Sequence, residues 1–252
     1  MNTHLFILTG ASRGMGLAMA EQLLAANHQL LCISRHLNAG LADLAVLRGC
    51  DLTQLTLDLS EPQPVADQLA NWLQAGAPGT WHSATLINNA ALIPAIAPLS
   101  ACCAAKLMQT LRVGLEAPML LTAAFLAATE SLAIPRKVLN ISSGLGRRPM
   151  ASQSAYCAAK AGLDHFTRCL ALEEGAKPHG AKVCSLAPGV VDTDMQMQLR
   201  SAQAASFPDR ESFVQLKQQG LLTTPQQAAV QVLARLNRSD FGNQPVADVR
   251  ES

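Results

Sequence analysis

Thr9-Gly10-Ala11-Ser12-Arg13-Gly14-Met15-Gly16 is the stretch that decides the fold. Before it comes a short apolar run, His4–Thr9, that reads as a strand. After it comes an Ala- and Leu-rich pattern, Gly16–Asn27, that reads as a helix. A glycine triplet between strand and helix suits a phosphate-bearing ligand. Gly10 lets the chain turn sharply, and Gly14 and Gly16 remove side chains where ligand and adjoining strand must approach. The helix N-terminus offers free N–H groups and a partial positive charge to a pyrophosphate. Nineteen residues past Gly16, at the end of the second apolar run, stands Arg35. A dinucleotide fold that prefers an unphosphorylated ribose places Asp or Glu near there. The planar fork of Arg35 suits a ribose 2′-phosphate instead, with Arg13 as a second cation and Ser34 and His36 adding hydrogen bonds. The expected cofactor is NADP(H).

The pattern continues outward. Gln29–Ser34, Leu52–Asp58, Ala84–Asn88, Lys137–Ser142 and Lys182–Leu186 read as further strands, buried on both faces. Pro64–Ala75, Ala101–Thr129 and Ser152–Gly175 read as helices. Another helix starts at Thr224, where a hydroxyl N-cap, Pro225 at the first position and Gln227 form a capping box. A last short strand covers Pro245–Arg250. Strand and helix in alternation predict an α/β fold: one Rossmann-type, doubly wound parallel sheet with helices on both faces. No repeat or linker divides the chain, so residues 1–252 read as a single dinucleotide-binding and catalytic domain. The irregular stretch 194–222 reads equally as a substrate lid or as a surface excursion that packs Phe207 and Phe213.

Composition narrows the function. The chain has 252 residues, 49% of them hydrophobic and only 15% charged, which fills a large core and excludes a disordered chain. The formal net charge of +1 lacks the basic excess of a nucleic-acid binder. No run approaches ~18 uninterrupted apolar residues, which speaks against a membrane span. Seven cysteines, odd in number and scattered, suit reduced core thiols and a cytoplasmic location. No CxxC or HExxH occurs, so no metal is expected.

Tyr156 is the single tyrosine of the chain. Lys160 follows one helical turn later on the same face. A phenol at ~10 is a reluctant acid at neutral pH, and an adjacent ammonium lowers it towards the working range. Ser143 closes the neighbouring strand and can donate to a substrate carbonyl oxygen, where charge develops as hydride arrives.

These residues resemble the short-chain dehydrogenase/reductase family over nearly the whole chain. The resemblance rests on the glycine turn, Asp58-Leu59, Asn88-Asn89-Ala90, Ser143 ahead of Tyr156-Cys157-Ala158-Ala159-Lys160, Pro188-Gly189 and Thr193. It implies Tyr156 as acid/base, Lys160 also holding the nicotinamide ribose, and Ser143 orienting the carbonyl. It implies that Asp58 and Leu59 meet the adenine, that Asn89 and Ala90 line the adenosine ribose, and that Thr193 holds the carboxamide. Gly189 and Val191 would lie along the cofactor, beside Ser12 and Met15 of the turn. Thr193 also suits an N-cap, and the two roles are compatible.

The C-terminal third is most similar to the sepiapterin- and benzil-reducing members. That likeness rests on Asp192-Thr193-Asp194-Met195-Gln196, on Phe213, Leu216 and Gly220-Leu221-Leu222, and on an ending of Gly242 then Val246-Ala247-Asp248. It implies substrate contacts from Gly189, Met195 and Asp248, the last accepting hydrogen bonds from a pterin edge. It also implies a homodimer or homotetramer. One position departs: the family's mid-helix Asn, which holds a water joining the lysine to solvent, is Gly114 in Val113-Gly114-Leu115-Glu116-Ala117-Pro118. Pro118 frees the Gly114 carbonyl, which is expected to hold that water instead. The expected activity is NADPH-dependent reduction of a keto side chain or vicinal dicarbonyl. The alternatives are a general ketoreductase and an NADP-binding regulatory protein that has lost turnover.

Overall fold

Successive residues of the first strand, β1 (Thr3–Thr9), serve two different cores, as the two-residue period of a strand requires. Leu5 and Ile7 pack with Val65, Leu69, Leu121 and Phe125 on one face, and Leu8 packs with Met19, Leu23, Val232 and Leu236 on the other. The computed structural model describes residues 3–76 and 81–251. The remaining strands are β2 (His28–Ser34), β3 (Asp51–Thr56), β4 (Trp81–Asn88), β5 (Arg136–Ile141), β6 (Lys182–Ala187) and β7 (Val246–Asp248). All pair in parallel, in the order β3-β2-β1-β4-β5-β6-β7. Helices α1 (Gly14–Leu23) and α9 (Pro225–Asn237) cover one face; α3 (Pro62–Ala75), α5 (Ala117–Thr129) and α6 (Ser154–Gly175) cover the other. The doubly wound parallel sheet expected from the alternation is what forms.

Three segments differ from the sequence reading. Residues between β2 and β3 form a helix, α2 (Ala39–Arg48), that the reading passes over. Its signals are local: the Asn38 side chain accepts from Leu41 N, and Gly49 ends the helix at φ 65°. The long helix expected over 101–129 begins instead as a 3-10 turn at Leu99–Ala101, followed by α4 (Ala104–Leu111), a π turn (Arg112–Glu116) and α5. The missing N–H of Pro118 leaves Gly114 without its helical donor, and the widened turn is closed from Ala117 N to Arg112 O. The stretch 194–222 holds two helices, α7 (Asp194–Ser201) and α8 (Arg210–Gln218). Phe207 and Phe213 stack at 5.7 Å and form a small core with Leu199.

Among the described residues one continuous helical stretch, Ala104–Thr129, matches a membrane span by length and composition. Here α5 lies against α3 and α4 against α6, with Leu121 and Phe125 fully buried. All seven cysteines are free, but only Cys32, Cys50 and Cys184 are buried. Cys102, Cys103, Cys157 and Cys169 are partly or fully exposed, which corrects the expectation that all are core thiols.

Candidate active site

In a parallel sheet the strands all end on one edge, and the loops leaving that edge converge. Gly10 leaves β1, Arg35 β2, Asn89 β4, Ser143 β5, Gly189 β6 and Asp248 closes β7. These residues, with the others expected to be catalytic or to touch cofactor or substrate, line one cleft of 1230 Å³, whereas Gly114 does not. That exceeds the ~300–1,000 Å³ of an ordinary small-molecule site.

The glycine turn is built by close approach. A Cβ on Gly16 would stand 2.0 Å from the Gly10 carbonyl oxygen and 2.5 Å from Asn89 Nδ2, and Gly10 and Gly14 take φ values of 71° and 56°. Asn89 braces this turn, donating from Nδ2 to Thr9 O at 2.9 Å and Gly10 O at 3.3 Å. Thr9 Oγ1 accepts from the N–H groups of Asn89 and Ala90. Ser34 Oγ accepts from Ala11 N at 2.9 Å, which shapes the turn and leaves its own O–H to donate into the cleft. Arg13 is paired with Asp194 at 2.7 Å, whereas Arg35 is exposed and makes no side-chain bond among the described residues. Asp58 lies two residues beyond β3, exposed, and caps Ser60 N at 2.9 Å.

This cradle fits a dinucleotide. Turn, helix start and free cation stand in the order such a ligand needs. Four residues that line the cleft also hold buried polar atoms without a protein partner: Ser142 Oγ, Gln153 Oε1, Gln196 Oε1 and one Arg200 guanidinium nitrogen. Buried polar groups ordinarily find a partner, and a polar ligand supplies one.

Tyr156 and Lys160 sit one turn apart on α6, 7% and 2% exposed. The Lys160 ammonium donates to Ile141 O at 2.7 Å and lies 5.7 Å from the tyrosine ring centre. Burial pushes the phenol up to about 12, the Ser143 hydroxyl beside it acting in the opposite direction. Burial lowers Lys160 to about 8, against the pull of Asp164. For both groups removal from water sets the direction of the shift. Ser143 accepts from Leu145 N at 3.2 Å and stands at the head of a 3-10 turn. Gly114 lies against α6: a Cβ there would meet that of Ala159 at 3.1 Å.

Thr193 stands at the N-cap of α7, but its hydroxyl reaches Val191 O at 3.4 Å and caps nothing. Met195 lies in the first turn of α7, near the apolar wall formed by Ile93, Met150, Leu199 and Phe213. Asp248 is buried at the cleft, and Arg250 clamps its carboxylate through Nε at 2.8 Å and a terminal nitrogen at 2.6 Å. That clamp holds the Asp248 carboxyl below the usual range. The sequence reading missed Arg250, and also Asp164, whose one signal is its place four residues beyond Lys160.

A parallel sheet carrying a glycine turn and, at the same edge, Ser143 with a buried Tyr-Lys pair defines an oxidoreductase that works with a dinucleotide. The short chain dehydrogenase family model matches residues 4–204, and the chain belongs to that family, whose members use nicotinamide cofactors. It is similar to the benzil reductase ((S)-benzoin forming) of Bacillus cereus, 33% identical over 97% of this chain and 98% of the relative. It is similar to the sepiapterin reductase of Xenopus laevis, 32% identical over 87% of this chain and 85% of the relative. A crystal structure of a short-chain dehydrogenase/reductase from Burkholderia vietnamiensis is 31% identical, covers 98% of this chain and 97% of its own, and superposes with a TM-score of 0.63.

Proposed function

We propose that this protein is an NADPH-dependent carbonyl reductase acting on aromatic ketones or vicinal dicarbonyls. The observation that carries the reading is the grouping of Ser143, Tyr156 and Lys160 in the same cleft as the glycine turn. A bound reduced nicotinamide would supply hydride to the carbonyl carbon. Ser143 would orient the carbonyl oxygen by donating to it. Tyr156 would then deliver its proton to that oxygen as negative charge grows there. A phenol held near 12 is protonated at neutral pH and still more acidic than the alcohol that the alkoxide becomes, so the resting site is set for reduction. Lys160, charged below about 8, would steady the phenolate left behind.

Arg35 supports the choice of NADPH, because its exposed fork suits a 2′-phosphate. Ile93, Met150, Leu199 and Phe213 suit a diaryl diketone. The Arg250 clamp on Asp248 occupies the carboxylate that a pterin edge would need. This favours a benzil-type substrate over a sepiapterin-type one. We further propose that 194–222 acts as the lid of this end. Exposed Met108, Leu111, Met119 and Leu172 support a homodimer or homotetramer through α4, α5 and α6, and seven free thiols support a cytoplasmic setting.

The test is the absorbance of the reduced nicotinamide, followed with benzil, sepiapterin and simple ketones, using NADPH and NADH in parallel. The reading expects oxidation of NADPH with benzil. Tight NADPH binding without oxidation by any carbonyl would favour a regulatory protein, and turnover confined to simple ketones a general ketoreductase.

A further inference from the structure

Behind the cleft wall lies a second charged residue on the catalytic helix. Asp164 is 1% exposed and follows Lys160 by one turn of α6. An unpaired carboxylate in such a place would be costly, and the surrounding chain is arranged to hold one. Ser185 Oγ donates to its Oδ1 at 2.6 Å from the centre of β6. Arg147, in the turn after Ser143, donates from Nε to its Oδ2 at 3.3 Å. Arg147 also donates from a terminal nitrogen to Ala247 O at 2.8 Å, in β7 beside Asp248. Space for the carboxylate depends on Gly146, where a Cβ would stand 2.9 Å from Oδ2 and 3.0 Å from Lys160 O.

We propose that Asp164 is a positioning residue for the reaction: the buried counter-charge of Lys160, held in place by Arg147 and Ser185, which also ties the catalytic helix to the strand ending in Asp248. The role rests on the carbonyl-reductase reading of the site.

Lys160 donates to Ile141 O, but a carbonyl dipole alone does not compensate an ammonium withdrawn from water. The charged and titratable groups around the pair can be named by element. Tyr156 lies on α6 itself, Arg147 comes from the turn after β5, Cys184 lies on β6, and Asp248 with Arg250 lies at β7. The π turn meets α6 through Gly114 against Ala159 and Leu115 against Gly162, none of which carries charge. Asp164 is thus the carboxylate that stabilises charged Lys160, opposing the burial that lowers it. Arg147 shares that carboxylate, so it tempers the effect and sets its direction.

Two variants give opposite signs. Asp164→Asn keeps shape and removes the charge, so Lys160 loses its proton at lower pH. The alkaline limb of the kcat profile should move down by about one pH unit, a roughly tenfold loss at a pH on that limb. Arg147→Met releases the carboxylate to Lys160 alone, and the limb should move up. Asp164→Glu should restore part of the first shift. Because Asp164→Asn removes a buried partner and can fail to fold, the half-exposed Arg147→Met keeps the question open to test. The Lys160 midpoint is also read without turnover, from its 15Nζ and 13Cε resonances in lysine-labelled protein. An active enzyme whose Lys160 midpoint stays put in both variants, or that loses rate equally at every pH alongside its melting temperature, overturns the role of Asp164. A wild type that reduces no carbonyl overturns the reading of the site itself, whatever the midpoints do.

Discussion

Arg13 in the glycine turn and Asp194 at the head of α7 meet across the mouth of the cleft at 2.7 Å. Both side chains are largely exposed, so the pair is worth at most about 1 kcal/mol. It nonetheless engages one of the two cations expected to read a 2′-phosphate, leaving Arg35 as the one without a partner among the described residues. Arg35→Ala should therefore raise the KM for NADPH by about ten- to a hundredfold, the worth of a charge-assisted bond, and leave that for NADH unchanged. Asp194→Asn should free Arg13 and lower the KM for NADPH by about two- to fivefold. Steady-state kinetics with both coenzymes check the pair, and an unchanged coenzyme preference in Arg35→Ala would remove Arg35 from the site.

Tyr156→Phe removes one hydroxyl from a buried ring. Coenzyme affinity, followed by fluorescence, should stay close to that of the wild type. The rate should fall by at least about two orders of magnitude, on the scale that general acid catalysis supplies. A variant that keeps a tenth of the rate would mean that the proton comes from elsewhere.

The close approach at Gly16 leaves no room for a methyl group, since the blocking atoms are the Gly10 carbonyl carbon and oxygen and the Asn89 amide. Gly16→Ala should lose coenzyme binding and cost about 1–3 kcal/mol or more in stability, because backbone must shift. Gly175, at the end of α6, has nothing within 4 Å of a Cβ. Gly175→Ala should be stable and active, and urea unfolding of the two variants measures the contrast.

The site was legible where chemistry is written in short spacings, and hidden where it depends on distant segments meeting. The glycine turn, Ser143 and the Tyr156–Lys160 step can each be read from local order. That Asn89 would brace Gly10, or Ser34 the Ala11 N–H, follows only once β1, β2 and β4 lie side by side. Arg250 reaches Asp248 two residues away, but a carboxylate near a chain end gives no sign that it is buried. The fold shows the same division. Alternating apolar runs determine the parallel sheet, while α2 is missed because Val46 and Leu47 face solvent and blur its apolar stripe. The π turn required knowing that Pro118 falls inside a helix continuing on both sides.

Gly114 is a point of contact between helices as well as the place of a missing side chain. With its Cβ position 3.1 Å from Ala159 Cβ, Gly114→Asn must push α6 by a few tenths of an ångström. The expected result is a lower melting temperature, at a cost of about 1–3 kcal/mol, with no gain in rate. A turnover raised a hundredfold by Asn would show instead that the proton relay from Lys160 is broken in this chain.

At the opposite edge of the sheet His4 sits among His28 and His82, with ring centres 5.8 Å and 5.4 Å away. Burial holds its pKa below 6.5, and the neighbouring His28 and His82 add to that effect. The folded state thus prefers neutral His4, while the unfolded chain takes up its proton near 6.5. The contribution to stability is complete above that pH and is lost as pH falls from 6.5 towards the depressed folded value. His4→Gln removes the titrating group while offering Ser83 a polar partner in place of the His4 Nδ1 contact at 2.8 Å. Melting temperatures measured from pH 8 to pH 5, a span of about three units around the free imidazole value, should fall less steeply in this variant than in the wild type. Parallel curves would mean that another group sets the acid limb.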